Sequence, residues 1–380
     1  MFDKIIELIK QEYSGDQSVN LHQPHFGGNE KKYLLDTIDS GFVSSVGEYV
    51  NLFEDLLAKK LNVKHAIATV NGTAALHVSY LVAGVEPGDE VITQAMTFVA
   101  TANSIKYCGA EPIFLDICRE SLSLCPLKLE SFLKNNTYTG SDGYCYNKVS
   151  QRRIKACVPM HTFGLPGHID EIVEICAKYN LIVVEDAAES LMSQYKGHYT
   201  GTIAKLGVFS FNGNKIITTG GGGAIVTNCD KIAKLAKHLT TTAKINSGYE
   251  SFHDEIGYNY RLPNLNAALG LAQLEQIDLF VEKKRSLATR YKKLFETMDA
   301  YNFVSEMDNT ESNYWLNAVI CRDFDSRQEF LRSLNQNKIL VRPVWKLLNS
   351  LEIYKHCQTG DLSNAEDLQN RIVNIPSSVV

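Results

Sequence analysis

The segment Leu181–Glu189, with the sequence LIVVEDAAE, is an apolar run followed directly by acidic residues. The uncharged run predicts a strand over residues 181–185 that is buried on both faces, as in a parallel sheet. Asp186 then lies at the carboxyl end of that strand, where open α/β sheets bind their ligands. The alternative for a lone aspartate is a solvated side chain that caps a loop or a helix. The small residues Ala187 and Ala188 favour a ligand site, because they allow a bulky group to approach.

Similar apolar runs occur before and after this strand and alternate with helical stretches. That alternation predicts βαβ units and therefore an α/β fold with a parallel sheet. The main predicted helices end near residues 84, 105, 179 and 295. The other predicted strands are residues 66–70, 90–93, 112–116, 155–159, 208–211 and 224–227.

The pattern of charged and apolar residues divides the chain into two parts. Long charged helices replace the βαβ alternation in the last third of the chain. We therefore expect a large domain over residues 1–255 and a smaller C-terminal α+β domain over residues 256–380, which includes a long linking helix. Residues 135–153 are polar and are expected to form a surface insertion.

The composition is ordinary for a globular protein of 380 residues, with 44% hydrophobic and 21% charged residues. The 38 basic and 43 acidic side chains give a net charge of −5, which provides no reason to expect nucleic acid or an anionic membrane as a partner. None of the nine cysteines forms a Cys-x-x-Cys pair, so we expect free thiols and no metal site. Without a signal-peptide pattern or a long apolar run, the expected location is the cytoplasm.

A second candidate segment, Ser210–Gly223, carries a lysine between a predicted strand and four consecutive glycines. Because Lys215 is followed by Ile216 rather than by Ser or Thr, the segment is not a Walker loop. The simplest interpretation is a surface lysine, but Ile216 and Ile217 predict that the loop is partly buried. A lysine beside buried surface can act as an amine nucleophile, as Schiff-base chemistry requires.

A third segment, Asn71–Ala75, joins a predicted strand to a helix. The free N–H groups at a helix start bind anions, and Gly72 would let a phosphate come near. The alternative is an ordinary turn in which Asn71 or Thr73 caps the helix.

Taken together, the three segments supply the groups that pyridoxal 5′-phosphate (PLP) requires. Lys215 offers an amine for the aldehyde, and the start of the helix at Gly72 offers a site for the phosphate. Asp186 offers a carboxylate that keeps the pyridine nitrogen protonated, so that the ring can accept electrons.

Six motifs, in the same order along the chain, resemble those of the DegT-type sugar-nucleotide aminotransferases, which are PLP enzymes of fold type I. The similarity extends from about Asn29 to Ser378, and it implies a mixed, largely parallel seven-stranded sheet flanked by helices. Met192 and the pair Ile203-Ala204 depart from the family pattern, and we expect only local backbone changes there. The motifs are residues 40–47, 71–76, 97–102, 185–190, 210–215 and 257–262.

The resemblance also implies a role for the residue at each matching position. Lys215 would be the catalytic lysine that bonds to the cofactor and moves protons, and Asp186 would pair with the pyridine nitrogen. Asn259 would reach the phosphate of the neighbouring subunit, which implies a homodimer with shared active sites. The other implied cofactor contacts are Phe98 on the ring, Glu189 near the 3-hydroxyl group, and Gly72, Thr73 and Ser210 on the phosphate.

Residues 161–166, 342–347 and 360–366 resemble one branch of the family, which acts on UDP-linked 4-keto-6-deoxy-N-acetylhexosamines in bacillosamine and legionaminic acid pathways. The implied reaction moves the amino group of glutamate to C4 of the sugar and gives a UDP-4-amino-4,6-dideoxy-N-acetylglucosamine. Ketosugars linked to dTDP or GDP are the alternatives. A PLP-binding protein that is non-catalytic or regulatory is an alternative of another class. A PLP-dependent dehydratase is disfavoured, because such relatives commonly replace the lysine by histidine.

Four side chains are candidate substrate contacts: Ser44, His161, Tyr314 and Trp345. For His161 the alternative is a buried histidine beside the sheet, and for Trp345 it is a tryptophan of the core. The same alternative applies to Tyr314 and to its neighbour Trp315.

Overall fold

The computed structural model describes residues 2–13, 18–247 and 249–380. Their helices are α1 (Asp3–Glu12), α2 (Glu30–Ser40), α3 (Glu48–Leu61), α4 (Gly72–Val82), α5 (Val99–Tyr107), α6 (Pro126–Asn136), α7 (Ile169–Lys178), α8 (Asp230–Thr240), α9 (Asn264–Leu274), α10 (Ile277–Phe295), α11 (Phe324–Gln336) and α12 (Ser363–Gln369). Their strands are β1 (His65–Thr69), β2 (Glu90–Gln94), β3 (Glu111–Leu115), β4 (Thr137–Thr139), β5 (Cys145–Asn147), β6 (Ile154–Val158), β7 (Ile182–Asp186), β8 (Gln194–Tyr195), β9 (His198–Tyr199), β10 (Leu206–Ser210), β11 (Gly223–Thr227), β12 (Lys244–Ser247), β13 (Glu250–His253), β14 (Tyr301–Phe303), β15 (Thr310–Glu311), β16 (Asn317–Cys321), β17 (Arg342–Pro343) and β18 (Ile372–Ile375).

A seven-stranded sheet in the order β1-β11-β10-β7-β6-β2-β3 forms the centre of the molecule. The strands from β10 to β3 are parallel to one another, whereas β11 is antiparallel to both of its neighbours. This mixed, largely parallel sheet confirms the predicted fold class. Each predicted strand of the sheet is present, and its bounds differ from the prediction by at most two residues.

Helices cover both faces of this sheet, as is usual for parallel strands. Successive residues of an inner strand point to opposite faces, so neighbouring residues pack against different helices. In β7, Val184 packs in a cluster with Leu76 of α4 and Ala236 of α8. Its neighbour Val183 packs in a second cluster with Ile172 of α7, on the other face. Burial on both faces explains why these strands are continuous apolar runs in the sequence.

A smaller antiparallel sheet, in the order β14-β16-β18-β17, forms from the C-terminal part of the chain. The first helix also packs there, since Ile5 of α1 and the preceding residue Phe2 lie in one buried cluster with Tyr301 and Phe330. The expected domain boundary near residue 255 stays a prediction, and the contacts of α1 associate the start of the chain with the C-terminal sheet.

The segment expected to be a surface insertion, residues 135–153, contains the hairpin β4–β5. Tyr138 and Val149 are exposed on it. Asn147 is buried and donates hydrogen bonds to Glu90 Oε2 at 2.8 Å and to Gln358 Oε1 at 2.6 Å. The hairpin therefore has a fixed position on the body of the protein.

Two properties of the whole chain bear on the expectations from composition. All nine cysteines lie within the described ranges and are free thiols. Within those ranges, no helix is both long and apolar enough to cross a membrane.

A buried lysine joins the long helix α10 to the end of the chain. Lys284 is 1% exposed, and its Nζ donates hydrogen bonds to the carbonyl oxygens of Ser377 and of Trp315, the latter at 3.1 Å. Burial lowers the pKa of Lys284 from 10.5 to about 7. Between these two values the unfolded chain binds a proton that the folded chain does not, so this group makes the protein more stable as the pH rises.

We expect Lys284→Met to weaken that pH dependence. Thermal unfolding of the parent protein, followed between pH 7 and 9, should show a stability gain of up to about 1.4 kcal/mol per pH unit that the variant lacks. Lys293→Met, which changes an exposed lysine of the same helix, is the matched control. Equal pH slopes in the parent and in Lys284→Met would contradict this account.

Candidate active site

A cavity of about 330 Å³ opens at the carboxyl ends of β7 and β10. The segments singled out in the sequence meet there, because parallel strands present their carboxyl ends at one edge of the sheet. Eight of the predicted site residues line it: Gly72, Thr73, Phe98, Asp186, Glu189, Ser210, Lys215 and Trp345.

Lys215 lies on the loop that follows β10. Its side chain is 12% exposed, and its Nζ lies 3.3 Å from Glu189 Oε1. The same Nζ lies 3.9 Å from the ring centroid of Trp315, whose Nε1 donates a hydrogen bond to the Asn214 carbonyl oxygen at 2.7 Å. The ammonium group is therefore held between a carboxylate and an indole face. Ile217 is buried, as the sequence predicts for this loop.

Asp186 is the last residue of β7 and is 2% exposed. Its Oδ2 accepts a hydrogen bond from Thr101 Oγ1 at 2.7 Å, and its Oδ1 accepts one from the Ala188 N–H at 3.2 Å. Burial raises the pKa of this carboxyl group, although these hydrogen bonds and the charge of Lys215 act in the opposite direction. A positively charged N–H partner inside the cavity would stabilise the ionised form of this buried carboxyl group.

The start of α4 also lines the cavity. Asn71 caps the helix, with Oδ1 accepting from the Ala74 N–H at 2.7 Å. Among the described residues, the N–H groups of Gly72 and Thr73 have no protein acceptor, as is usual for a first helical turn. A Cβ atom at Gly72 would lie only 2.9 Å from Ser210 Cβ, so glycine is required for this close approach. Two N–H groups without an acceptor and the Ser210 side chain thus line the same cavity, as a phosphate site requires.

Glu189 is buried between Lys215 and the segment after β6. Its Oε2 accepts a hydrogen bond from the Phe163 N–H at 2.9 Å. Burial raises the pKa of Glu189 to about 7, although the nearby charge of Lys215 lowers it. This carboxyl group can therefore hold or release a proton near neutral pH.

Two aromatic rings border the opening of the cavity. Phe98 precedes α5 and is 49% exposed, and its ring centroid lies 6.3 Å from that of Trp345. Trp345 also packs against Phe163, with the ring centroids 5.2 Å apart. An exposed aromatic face beside the cavity is available to stack on a planar ligand.

The other four predicted site residues do not line this cavity. Ser44 and Asn259 are exposed on the surface of the chain. His161 is fully buried, with Nε2 donating to Glu185 Oε2 at 3.0 Å and Nδ1 accepting from the Gly167 N–H at 3.0 Å. Because both ring nitrogens are occupied, the structure favours the alternative interpretation of a buried histidine beside the sheet.

Tyr314 is also a packing residue in this chain. It is buried, its hydroxyl oxygen accepts a hydrogen bond from the Glu306 N–H at 3.2 Å, and its ring packs against Phe303. Its neighbour Trp315 lines the cavity instead. Thr101 and Met160 line the cavity as well, and neither has a feature in the sequence that distinguishes it from a core residue.

A second cavity, of about 660 Å³, adjoins the first and shares Asn214, Trp315 and Trp345 with it. Arg342 lies at its edge and is exposed. His22 also lines this cavity, and neither of its ring nitrogens has a hydrogen-bond partner among the described residues. The combined space therefore extends well beyond the immediate surroundings of Lys215.

Comparison with known proteins assigns this architecture. Residues 24–379 match the family model described as the DegT/DnrJ/EryC1/StrS aminotransferase family. The chain is 36% identical to the GDP-perosamine synthase of Escherichia coli O157:H7, covering 94% of this chain and 93% of that protein. It is 32% identical to the UDP-4-amino-4,6-dideoxy-N-acetyl-beta-L-altrosamine transaminase of Campylobacter jejuni, covering 91% and 87% respectively. The structure of Helicobacter pylori PseC, an aminotransferase involved in pseudoaminic acid biosynthesis, superposes with a TM-score of 0.86 and 26% identity, over 95% and 94% of the two chains.

These matches define a sugar aminotransferase of PLP fold type I. The chain belongs to the DegT/DnrJ/EryC1/StrS aminotransferase family, and its cofactor is PLP. The residues present fit this cofactor. The buried Asp186 carboxylate suits a protonated pyridine nitrogen, and the free amides of Gly72 and Thr73 suit a phosphate. Lys215 supplies the amine in the same cavity.

Gly72→Ala tests the phosphate end of this site. The added methyl group would press against Ser210, and overpacking of this kind should weaken PLP binding about tenfold or more. Gly213→Ala is the matched control, because a Cβ there meets no atom within 4 Å. PLP titration of the apo proteins, followed by tryptophan fluorescence, gives both affinities. Equal affinities would show that the cofactor phosphate lies elsewhere.

Proposed function

We propose that this enzyme transfers the amino group of glutamate to C4 of a UDP-linked 4-keto-6-deoxy-N-acetylhexosamine. The product is a UDP-4-amino-4,6-dideoxy-N-acetylglucosamine for glycan biosynthesis. The observation that carries the reaction is the position of Lys215, whose Nζ shares one cavity with Asp186 and with the start of α4.

Four groups of the cavity have a part in the proposed reaction: Lys215, Asp186, Glu189 and the N–H groups at the start of α4. When bound, PLP supplies a ring that accepts the electron pair left by loss of the α-proton of the donor. Lys215 Nζ would remove that proton as general base and, as general acid, deliver it to the cofactor carbon that carries the amino nitrogen; with the ketosugar the same transfer would run in reverse. Asp186 would hold the pyridine nitrogen, and the N–H groups of Gly72 and Thr73 would hold the phosphate. Glu189 sets the charge beside Lys215, because its pKa of about 7 lets it exchange a proton at neutral pH.

The adjoining cavity supports a substrate as large as a nucleotide sugar. Its volume of about 660 Å³ adds to that around Lys215, and the walls shared by the two are Asn214, Trp315 and Trp345. Arg342 provides a positive charge at its edge for a diphosphate. Burial, with the charges of Lys284 and Lys215, lowers the pKa of His22, which keeps this imidazole neutral and able to bind a polar sugar or base.

The nucleotide and the sugar have a second candidate. GDP-perosamine synthases are among the relatives, and the one from Escherichia coli is 36% identical to this chain. This favours a GDP-linked 4-keto-6-deoxyhexose as the alternative acceptor. The Campylobacter jejuni relative, whose name specifies a UDP-linked N-acetylated sugar, supports the first candidate.

A panel of UDP-, GDP- and dTDP-linked 4-ketosugars, each with glutamate as donor, tests the proposal. We expect mass spectrometry and NMR to detect a 4-amino product from the UDP-linked N-acetylated substrate with the highest kcat/KM. Lys215→Ala should lower kcat about a thousandfold or more, because the proton-transfer group is lost. Lys205→Ala, at an exposed lysine just before β10, is the control.

Each outcome of the panel has a distinct meaning. A preference for the GDP-linked sugar would replace the first substrate by the second. Undiminished turnover in Lys215→Ala would refute the assignment of the catalytic lysine.

The proposal includes a homodimer in which Asn259 reaches the phosphate site of the partner. Asn259 is exposed on the single chain and does not line the cavity of its own subunit, so it is free to contact a second copy. Apolar side chains that a second copy would cover are also exposed, among them Phe42, Val46 and Ile256. Such exposed apolar surface is typical of protein interfaces.

Co-expression of Lys215→Ala with Asn259→Ala tests the shared site. In a mixed dimer, one site receives its lysine from one subunit and its Asn259 from the other, so it is intact. We expect about a quarter of the parent activity at limiting PLP, since half of the dimers are mixed and each has one intact site. Activity no higher than the mean of the two variants would contradict the arrangement.

A further inference from the structure

Away from the cavity, the loop after β3 and the start of α7 bring three metal-binding side chains together. One ligand atom from each of Cys118, Glu120 and His168 lies within 4.8 Å of the other two. The sequence gives no sign of this cluster, because about fifty residues separate the histidine from the other two side chains.

The imidazole of His168 has the environment of a metal ligand. Its Nε2 lies 3.3 Å from Glu120 Oε1, which is about the separation of N and O ligands around tetrahedral zinc with bonds of about 2.0–2.1 Å. Its Nδ1 lies 3.3 Å from Glu171 Oε1. Histidines that bind metals commonly donate their other N–H to a carboxylate in this way, which orients the ring.

A second thiol lies next to this cluster. Cys125 interacts with the thiol of Cys118, and it immediately precedes α6. Its sulfur is not among the three ligand atoms that lie within 4.8 Å of one another, so Cys125 is a neighbour of the cluster and not part of it.

The backbone holds the two cysteines in place. The Cys118 N–H donates to the Ser123 carbonyl oxygen at 2.9 Å, and the Cys125 N–H donates to the Asp116 carbonyl oxygen at 3.0 Å. Both cysteines are buried, at 9% and 7% exposure. The backbone around Cys118 is therefore held by hydrogen bonds before any cation binds.

The neighbouring charges also favour a cation. The nearby basic residues Arg119 and Lys128 pair with Asp367 and Asp361 respectively, so their positive charges are compensated. Glu120 and Glu171 both face His168.

We propose that Cys118, Glu120 and His168 bind one Zn²⁺ ion. Thiolate and imidazole ligands select Zn²⁺ over Mg²⁺ or Ca²⁺, which prefer sites made of oxygen atoms alone. Binding releases the Cys118 proton to solvent, and no oxidation or reduction is involved. The site is separate from the proposed transamination and differs from the expectation, from cysteine spacing, that the chain has no metal site.

The ion would fix the loop that supports one wall of the cofactor cavity. Ser123 Oγ, inside this loop, donates a hydrogen bond to the Met160 carbonyl oxygen at 2.7 Å. Met160 lines the cavity that contains Lys215. The expected role of the metal is therefore structural.

A second group of possible ligands provides a control. Glu111, His356 and Cys357 also lie close together, with His356 Nε2 3.2 Å from Glu111 Oε2. In that group Glu111 is already paired with Lys106. Cys357→Ser therefore tests whether any cysteine near an imidazole gives the same signal.

The experiment measures zinc in the PLP-loaded full chain after equilibration with Zn²⁺ in a non-thiol reductant and removal of free metal. We expect about one zinc ion per chain in the parent protein and in Cys357→Ser. Cys118→Ser, Glu120→Gln and His168→Gln should each bind zinc at least about tenfold more weakly. With Co²⁺ instead of Zn²⁺, the parent should show thiolate-to-metal charge-transfer absorption that Cys118→Ser lacks.

Two results would overturn the proposal. One is a parent protein that retains no zinc, and the other is zinc that Cys118→Ser and Glu120→Gln retain while Cys357→Ser loses it. Glu120→Gln keeps the test valid if the cysteine variants misfold, because that side chain is more than half exposed. Circular dichroism of each variant establishes that it is folded.

Discussion

The parallel pairing of β7 with β10 is the constraint on which the site depends. Its register sets Val208 opposite Asp186, so both strands end at the same edge of the sheet. Because β10 continues directly into the loop of Lys215, the acid and the amine come to one cavity although 29 positions separate them in the sequence. The loop returns to the antiparallel strand β11. At its two ends, the Phe211 N–H donates a hydrogen bond to the Gly222 carbonyl oxygen at 2.8 Å.

Burial then determines the electrostatics of the cavity. Asp186 and Glu189 are both almost fully buried, and desolvation raises the pKa of each. Lys215 opposes that effect through its positive charge, and the indole of Trp315 lies on its other side. The site therefore contains two carboxyl groups and one amine whose charges depend on each other, as a reaction built on proton transfer requires.

Much of this arrangement could be predicted from the sequence, because its causes are local. Apolar runs with small or acidic residues after them identified the inner strands, and the turn at Gly72 identified the start of α4.

His161 could not be assigned in the same way, since its partners Glu185 and Gly167 are set by tertiary packing. Trp315 and Tyr314 are adjacent aromatic residues, and only the positive φ of 46° at Tyr314 and the packing around it decide which ring faces the cavity. The cluster of Cys118 and His168 was missed for a similar reason, because the fold rather than the spacing brings them together.

The packing of α1 has a consequence for biosynthesis. Phe2, Ile5 and Ile9 are synthesised more than 290 residues before their neighbours Tyr301, Phe330 and Val373. These apolar side chains must therefore stay uncovered until that later part of the chain has been made. Contacts between residues so distant in the chain form slowly, since closing a long loop costs entropy before any contact compensates for it. Docking of α1 is thus a late step of folding, and its apolar side chains are exposed to aggregation until it occurs.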